Sequence, residues 1–196
     1  MVGVSRDFLA TPGHIKLITY QALLPKLCSC ALHLGRIAQH GHTEYTDKGA
    51  GYMKRIESLY DLDTEKLRIR NPEGCDICRH PTIPELNGFA GRTLAAEMVE
   101  PDEDLLTLVK QGDSIGMMHH MTDLRGNTRF DDPRMVGKTA MECAVYKMSQ
   151  GLIDPRELEP RFHSFEREEM LRRPANYHAG SQRTPRKLNV IQGTSN

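Results

Sequence analysis

Apolar residues recur at roughly helical intervals between residues 11 and 39, and this spacing predicts a first helix. Thr11 is suited to the N-cap position, and Pro12 is suited to the first turn. Pro25 lies inside the segment and removes one backbone hydrogen-bond donor, so we expect a kink or a break just before it.

Later segments carry the same periodicity. They cover residues 49–61, 101–111 and 138–150. The second of them begins with acidic residues, which the positive end of a helix dipole favours, and a glycine follows both the second and the third. A last helical stretch covers residues 154–171 and is interrupted by Pro160.

The connections between these segments are rich in proline and glycine. Residues 71–87 contain four prolines or glycines and predict a loop, whereas residues 91–100 fit a helix and a strand equally well. The pattern as a whole predicts a mainly α fold, a small irregular helical domain over residues 11–173 with long Pro/Gly-rich connectors. Residues 1–10 form an N-terminal extension in this interpretation, and residues 174–196 form an extended basic tail.

Composition indicates a modest core. Apolar residues make up 38% of the 196 residues, Trp is absent, and there are 10 Met residues. A core built mainly from Leu, Ile and Met is expected to need support from a bound metal or from neighbouring proteins.

Charge is balanced along the chain but not in its last part. There are 26 basic and 26 acidic residues in total, yet no acidic residue follows residue 171. We expect the cations of this last part to bind a partner, which is an acidic protein surface, a nucleic acid or a membrane surface, and the alternative is a solvated tail without a partner. They are Arg172, Arg173, Arg183, Arg186 and Lys187.

Four of the five cysteines form two short pairs, Cys28 with Cys30 and Cys75 with Cys78. Two such pairs supply the four thiolates of a tetrahedral structural zinc site, so we expect a metal-stapled loop. One geometric difficulty arises on a continuous helix, because residues two apart point about 200° away from each other. His33, three residues after Cys30, and His80 are therefore reserve ligands.

The cysteine pairs also fit other interpretations. An iron–sulfur cluster could use the same thiolates. The usual sequence motifs for such clusters place three cysteines close together, and this sequence lacks such a motif. Without any metal, the cysteines would be small buried core residues.

No sequence motif indicates catalysis. The chain contains neither Gly-x-Ser-x-Gly nor His-Glu-x-x-His. We therefore expect a non-catalytic subunit whose partners are the other proteins of a large assembly. A nucleic-acid-binding module that uses the basic tail and a small metalloenzyme with an open position at the zinc are the alternatives.

Hydropathy and cysteine usage bear on the compartment. No run of about 18 apolar residues occurs, so no membrane span is expected. An odd number of closely spaced cysteines fits an intracellular reducing compartment better than a disulfide framework.

The nucleic-acid alternative makes a measurable prediction. If the basic tail binds duplex DNA, affinity should fall with a log–log salt slope of about 0.9 per phosphate contact, because each contact releases counterions. Fluorescence anisotropy of a labelled duplex at two salt concentrations measures this slope. Absence of binding at low salt would eliminate this alternative.

Overall fold

The computed structural model of the chain describes residues 3–34, 49–125, 131–133 and 137–172. Over these residues the fold is mixed, with antiparallel strands beside helices, so the prediction of a mainly α fold is wrong. The helices are α1 (Arg6–Leu9), α2 (Gly49–Tyr60), α3 (Glu103–Gln111), α4 (Ser114–Arg125), α5 (Ala140–Ser149) and α6 (Phe165–Arg172). Short 3-10 turns occupy Thr64–Lys66, Pro84–Leu86 and Pro155–Glu157.

Helix ends follow the local signals in the sequence. Asp102 is the N-cap of α3 and accepts a hydrogen bond from Leu105 N at 2.8 Å, and Gly112 ends the helix with a φ of 71°. Thr139 and Glu142 form a capping box at the start of α5. The helices predicted over 49–61, 101–111 and 138–150 are thereby confirmed, with slightly shorter bounds.

Two long strands form a ribbon. β1 (Ile18–Leu27) and β4 (Phe89–Val99) pair antiparallel from Ile18 opposite Val99 to Leu27 opposite Phe89, with an irregularity between Pro25 and Leu27. A second, much shorter pair joins β2 (Leu32–His33) to β3 (Arg68–Ile69). Each long strand has one strand neighbour among the described residues, so both are edge strands.

The predicted helix over residues 11–39 is wrong because β1 occupies its centre. Ile18, Thr19 and Tyr20 are β-branched or aromatic and suit a pleated surface. Pro25 is tolerated because it lies next to the irregularity in an edge strand, where a missing N–H costs little. Residues 35–39 of the predicted helix lie outside the described residues.

The ribbon buries one face and exposes the other. Leu24 is fully buried, whereas its neighbour Leu23 is 52% exposed. On the partner strand β4, Ala95 is buried and its neighbour Leu94 is exposed in the same way. This alternation is the signature of a strand, and it resolves the undecided segment 91–100 as part of β4.

The core lies between the inner face of the ribbon and helices α2, α5 and α6. The predicted apolar face of α5 is buried as expected, and Tyr60 of α2 packs edge-to-face on Phe165 of α6 with ring centroids 6.1 Å apart. The buried cluster comprises Leu24, Leu34, Met53, Ile56, Tyr60, Leu67, Ile69, Ala95, Met141, Cys143, Ala144, Val145, Met148, Ile153, Leu158 and Phe165.

A buried carboxylate connects β3 to the segment after α5. Asp154 is 1% exposed, and its Oδ2 accepts a hydrogen bond from Arg70 N at 2.7 Å. Its Oδ1 accepts from the backbone N and from Nε of Arg156, at 3.0 and 2.9 Å. Asp154 therefore fixes the point where the chain leaves β3 for the loop of the second cysteine pair.

The predicted terminal segments are only partly described. Residues 1–10 include α1, whose Asp7 forms an ion pair with Lys110 of α3 at 3.4 Å. Residues 173–196 and the side chain of Arg172 lie outside the described residues, and so do the other four cations assigned to the tail. The proposed domain boundaries stay predictions. No described helix has the length and apolar character that crossing a membrane requires.

Replacing Asp154 by Ala is expected to lower the free energy of unfolding by about 3 kcal/mol, because Arg70 N and Arg156 would lose the buried carboxylate that accepts their hydrogen bonds. Urea denaturation of the full chain measures the change. Asp7→Ala is the matched control: it removes an ion pair to Lys110 in which both side chains are exposed, and should cost less than about 0.5 kcal/mol. Equal losses in both variants would contradict this role of Asp154.

Candidate metal centre

The two cysteine pairs lie in two turns that face each other. The first turn follows β1, where Cys28 O accepts a hydrogen bond from Ala31 N at 3.0 Å. The second follows β3, where Cys75 O accepts from Cys78 N at 3.0 Å. Because Cys28 and Cys30 lie in a turn after a strand, the geometric difficulty of two ligands on one helix does not arise.

The four sulfur atoms form a compact group. Sγ of Cys28 lies 3.8 Å from Sγ of Cys75, and Sγ of Cys30 lies 3.5 Å from Sγ of Cys78. The two sulfurs of the second turn are 3.7 Å apart. All four lie within 4.8 Å of one another. The structure thus brings together the four cysteines singled out in the sequence.

These distances are those of a tetrahedral thiolate site. Zinc–sulfur bonds of about 2.3 Å at tetrahedral angles separate the sulfurs by about 3.8 Å. A disulfide would require about 2.05 Å, and all five cysteines of the chain are free thiols. The four cysteines could therefore hold one metal ion at their centre.

Backbone amides point at one of the sulfurs. Cys78 Sγ accepts hydrogen bonds from Cys75 N and from Gly88 N, each at 3.3 Å. Such donors stabilise the negative charge of a thiolate ligand. Gly88 O in turn accepts from Cys28 N at 2.8 Å, so a single residue before β4 connects the two turns.

Two asparagines fix the second turn. The Asn87 side chain is buried, accepts a hydrogen bond from His80 N at 2.7 Å and donates one to Pro72 O at 3.2 Å. The side chain of Asn71 accepts from Glu73 N at 3.1 Å. The loop 71–87 is therefore cross-linked internally by side-chain hydrogen bonds, which suits a site whose ligands must not move.

An arginine holds the first turn. Arg68 Nη2 donates to Ser29 O at 2.8 Å and to Ala31 O at 3.0 Å. A Cβ at Gly151 would lie 2.6 Å from Arg68 Cδ, so a glycine is needed where the arginine passes. Its positive charge beside the first turn would offset part of the net negative charge of four thiolates around a divalent ion.

The thiols of the first turn titrate differently. A hydrogen bond from the backbone of Cys30 lowers the pKa of Cys28 to about 6, although burial opposes the change. Burial and the neighbouring sulfurs raise the pKa of Cys30 to about 12. The Cys28 thiol therefore ionises more readily than the Cys30 thiol, whose deprotonation a bound cation would promote.

The reserve imidazoles lie outside the group of four sulfurs. His33 is in β2 opposite Arg68. His80 Nδ1 is close to Ile83 N at 3.0 Å and to Thr82 N at 3.3 Å, and it accepts their hydrogen bonds. Among the described residues, the ligand atoms within 4.8 Å of one another include neither histidine.

Sequence reasoning did not find the supporting residues. Arg68, Asn87 and Gly88 act on the cysteine turns through the fold: Asn87-Gly88 indicates only a turn, and nothing in the local sequence marks any of the three as a partner of the cysteines. Asn71 and Gly74 were detectable, since Asn and Gly are typical of tight turns and Gly74 has a φ of 67°.

Comparison with known proteins gives no relative: no family model matches the chain, and no curated protein matches its sequence.

Gly88→Ala is expected to lower the free energy of unfolding by at least about 2 kcal/mol, because residue 88 has a φ of 82° and a Cβ would overlap Asn71 O and lie 2.7 Å from Arg70 Cγ. Gly91→Ala is the matched control, since Gly91 has a φ of 80° but no atom within 4 Å of the added Cβ. It should cost only about 1 kcal/mol for the backbone conformation. Urea denaturation of both variants compares them, and similar losses would show that residue 88 is not closely packed.

Proposed function

We propose that this protein is a non-catalytic structural component of a larger protein assembly, and that one structural zinc ion bound by Cys28, Cys30, Cys75 and Cys78 fastens its fold. The observation that carries the proposal is the spacing of the four sulfurs. Three pairs lie 3.5 to 3.8 Å apart, which is the edge of a tetrahedron around a single zinc ion.

The chemistry of the ligand set favours zinc. Four thiolates are a common donor set of structural zinc sites, and zinc has no redox chemistry that would disturb a fold. An iron–sulfur cluster contains several iron atoms, so its thiolates are spread over different metals rather than gathered around one centre. The compact group of sulfurs therefore supports a single ion.

The ligand count supports a structural role. Catalytic zinc sites use three protein ligands and leave the fourth position to water or substrate. Here four sulfurs are available for four positions, so a metalloenzyme is the weaker hypothesis.

The position of the site explains what the ion would do. It would join the end of β1 to the loop between β3 and β4, two regions otherwise linked by Gly88 and Arg68. Metal binding energy would then contribute directly to the free energy of folding, because the unfolded chain has no preformed site.

Exposed apolar side chains support a role in an assembly. Ile77, at the tip of the second cysteine turn, is 80% exposed, and Ile115 of α4 is 67% exposed. A turn whose backbone is fixed from within can present such a side chain to a neighbouring protein without the further entropic cost of ordering the turn itself.

The zinc proposal predicts that Cys75→Ser and Cys78→Ser each reduce the zinc content of the purified full chain from one ion towards zero. They should also lower the free energy of unfolding by several kcal/mol, because a hydroxyl is a poor zinc ligand. Inductively coupled plasma mass spectrometry measures the metal, and urea denaturation with and without a chelator measures the stability.

Cys143→Ser is the matched control. Cys143 is 3% exposed and belongs to the core cluster rather than to the four sulfurs, so its replacement should cost about 1–2 kcal/mol while zinc stays bound. A wild-type chain that contains no zinc, or iron in its place, would contradict the proposal.

A further inference from the structure

The β4 side of the outer face of the ribbon is apolar in the middle and charged at both ends. Alternation along β4 places Arg92, Leu94, Ala96 and Met98 on the face opposite the buried Ala95 and Val99, and the exposed Glu100 follows directly after the strand. Arg92 and Glu100 are exposed, Leu94 is 41% exposed and Met98 is 53% exposed. The order along the strand is therefore positive, apolar, negative.

The neighbouring strand adds no charge to this face. Thr19, Gln21, Leu23 and Pro25 of β1 lie opposite Met98, Ala96, Leu94 and Arg92, respectively. Helix α5 packs against the ribbon with its buried side, which contributes to the same core as the inner face of the ribbon. No described element is seen to cover the outer face, whose leucines remain about half exposed.

We infer that this outer face binds a second copy of the chain. The pattern is complementary to itself when reversed. A half-turn about an axis through Ala96, perpendicular to the strands, places Arg92 against Glu100 of the partner subunit and Leu94 against the partner's Met98. Such a two-fold contact forms the charge pair twice, once at each end, and covers the exposed apolar side chains in the same step.

Charge and size define the kind of dimer. The chain has no net charge, so two copies approach without overall repulsion. Eight residue steps separate Arg92 from Glu100, about 26 Å at roughly 3.3 Å per residue, and the ribbon is only about 10 Å wide. This face is smaller than the roughly 800 Å² per partner of a standard stable interface. The dimer is therefore a weak one that dissociates on dilution.

This inference goes beyond the proposed function, since none of the residues on the outer face of the ribbon is a cysteine.

The test is sedimentation velocity of the full chain from about 10 μM to about 1 mM, a range that brackets weak association. The expected mass rises with concentration from 22.2 kDa towards twice that value.

Charge reversal tests the geometry. Arg92→Glu places two glutamates against each other at both ends of the contact and should weaken the dimer about tenfold, and Glu100→Arg should do the same with arginines. The double variant R92E/E100R should restore the affinity to within about threefold, because it only exchanges the two ends. Lys54→Glu, which makes the same charge change on the exposed surface of α2, should have no effect.

A chain that stays at 22.2 kDa over the whole range would overturn the inference, whether another part of the chain or a different protein covers the face. A dimer that is unaffected by R92E, or that the double variant fails to restore, would overturn it as well.

Zinc content is measured in the same samples. Loss of the dimer with zinc retained then refutes this inference alone, and absence of zinc from a dimeric wild type refutes the proposed function alone.

Discussion

The described fold depends on the meeting of two turns that are 47 residues apart in the chain. One turn ends the long ribbon strand β1, and the other opens the loop that leads back to its partner β4. Where the four thiols meet, Gly88 is hydrogen-bonded to both turns, so the end of β1 and the start of β4 lie side by side. A two-stranded ribbon is marginal by itself, so a constraint at its end is worth more here than it would be in a larger sheet.

The cysteine pairs were readable from the sequence because metal ligation needs a particular residue type at close spacing. The same holds for α3 and α5, whose caps and apolar faces are local signals. The helix predicted over residues 11–39 was wrong for a physical reason. Leu23 and Leu24 are both apolar although only one is buried, so the alternation of β1 is blurred and a helical period fits instead. Strand pairing is a long-range interaction, and a single window of sequence does not contain it.

The residues that support the site were not readable for the same reason. Arg68 holds the carbonyls of Ser29 and Ala31, which lie nearly forty positions earlier. Gly88 looks like an ordinary turn glycine, yet its amide donates to Cys78 and its carbonyl accepts from Cys28. These roles exist only once the chain has folded back on itself, whereas the thiols carry their chemistry in any conformation.

The order of the elements along the chain has a consequence for biosynthesis. All four cysteines of the two turns have left the ribosome once residue 78 has emerged, but β1 lacks its partner strand until residues 89–99 follow. During that interval the nascent polypeptide can already close the long loop between its thiols. Metal binding at this stage would fix the end of β1. The later strand β4 would then pair with a strand that is already held in place rather than with a mobile one.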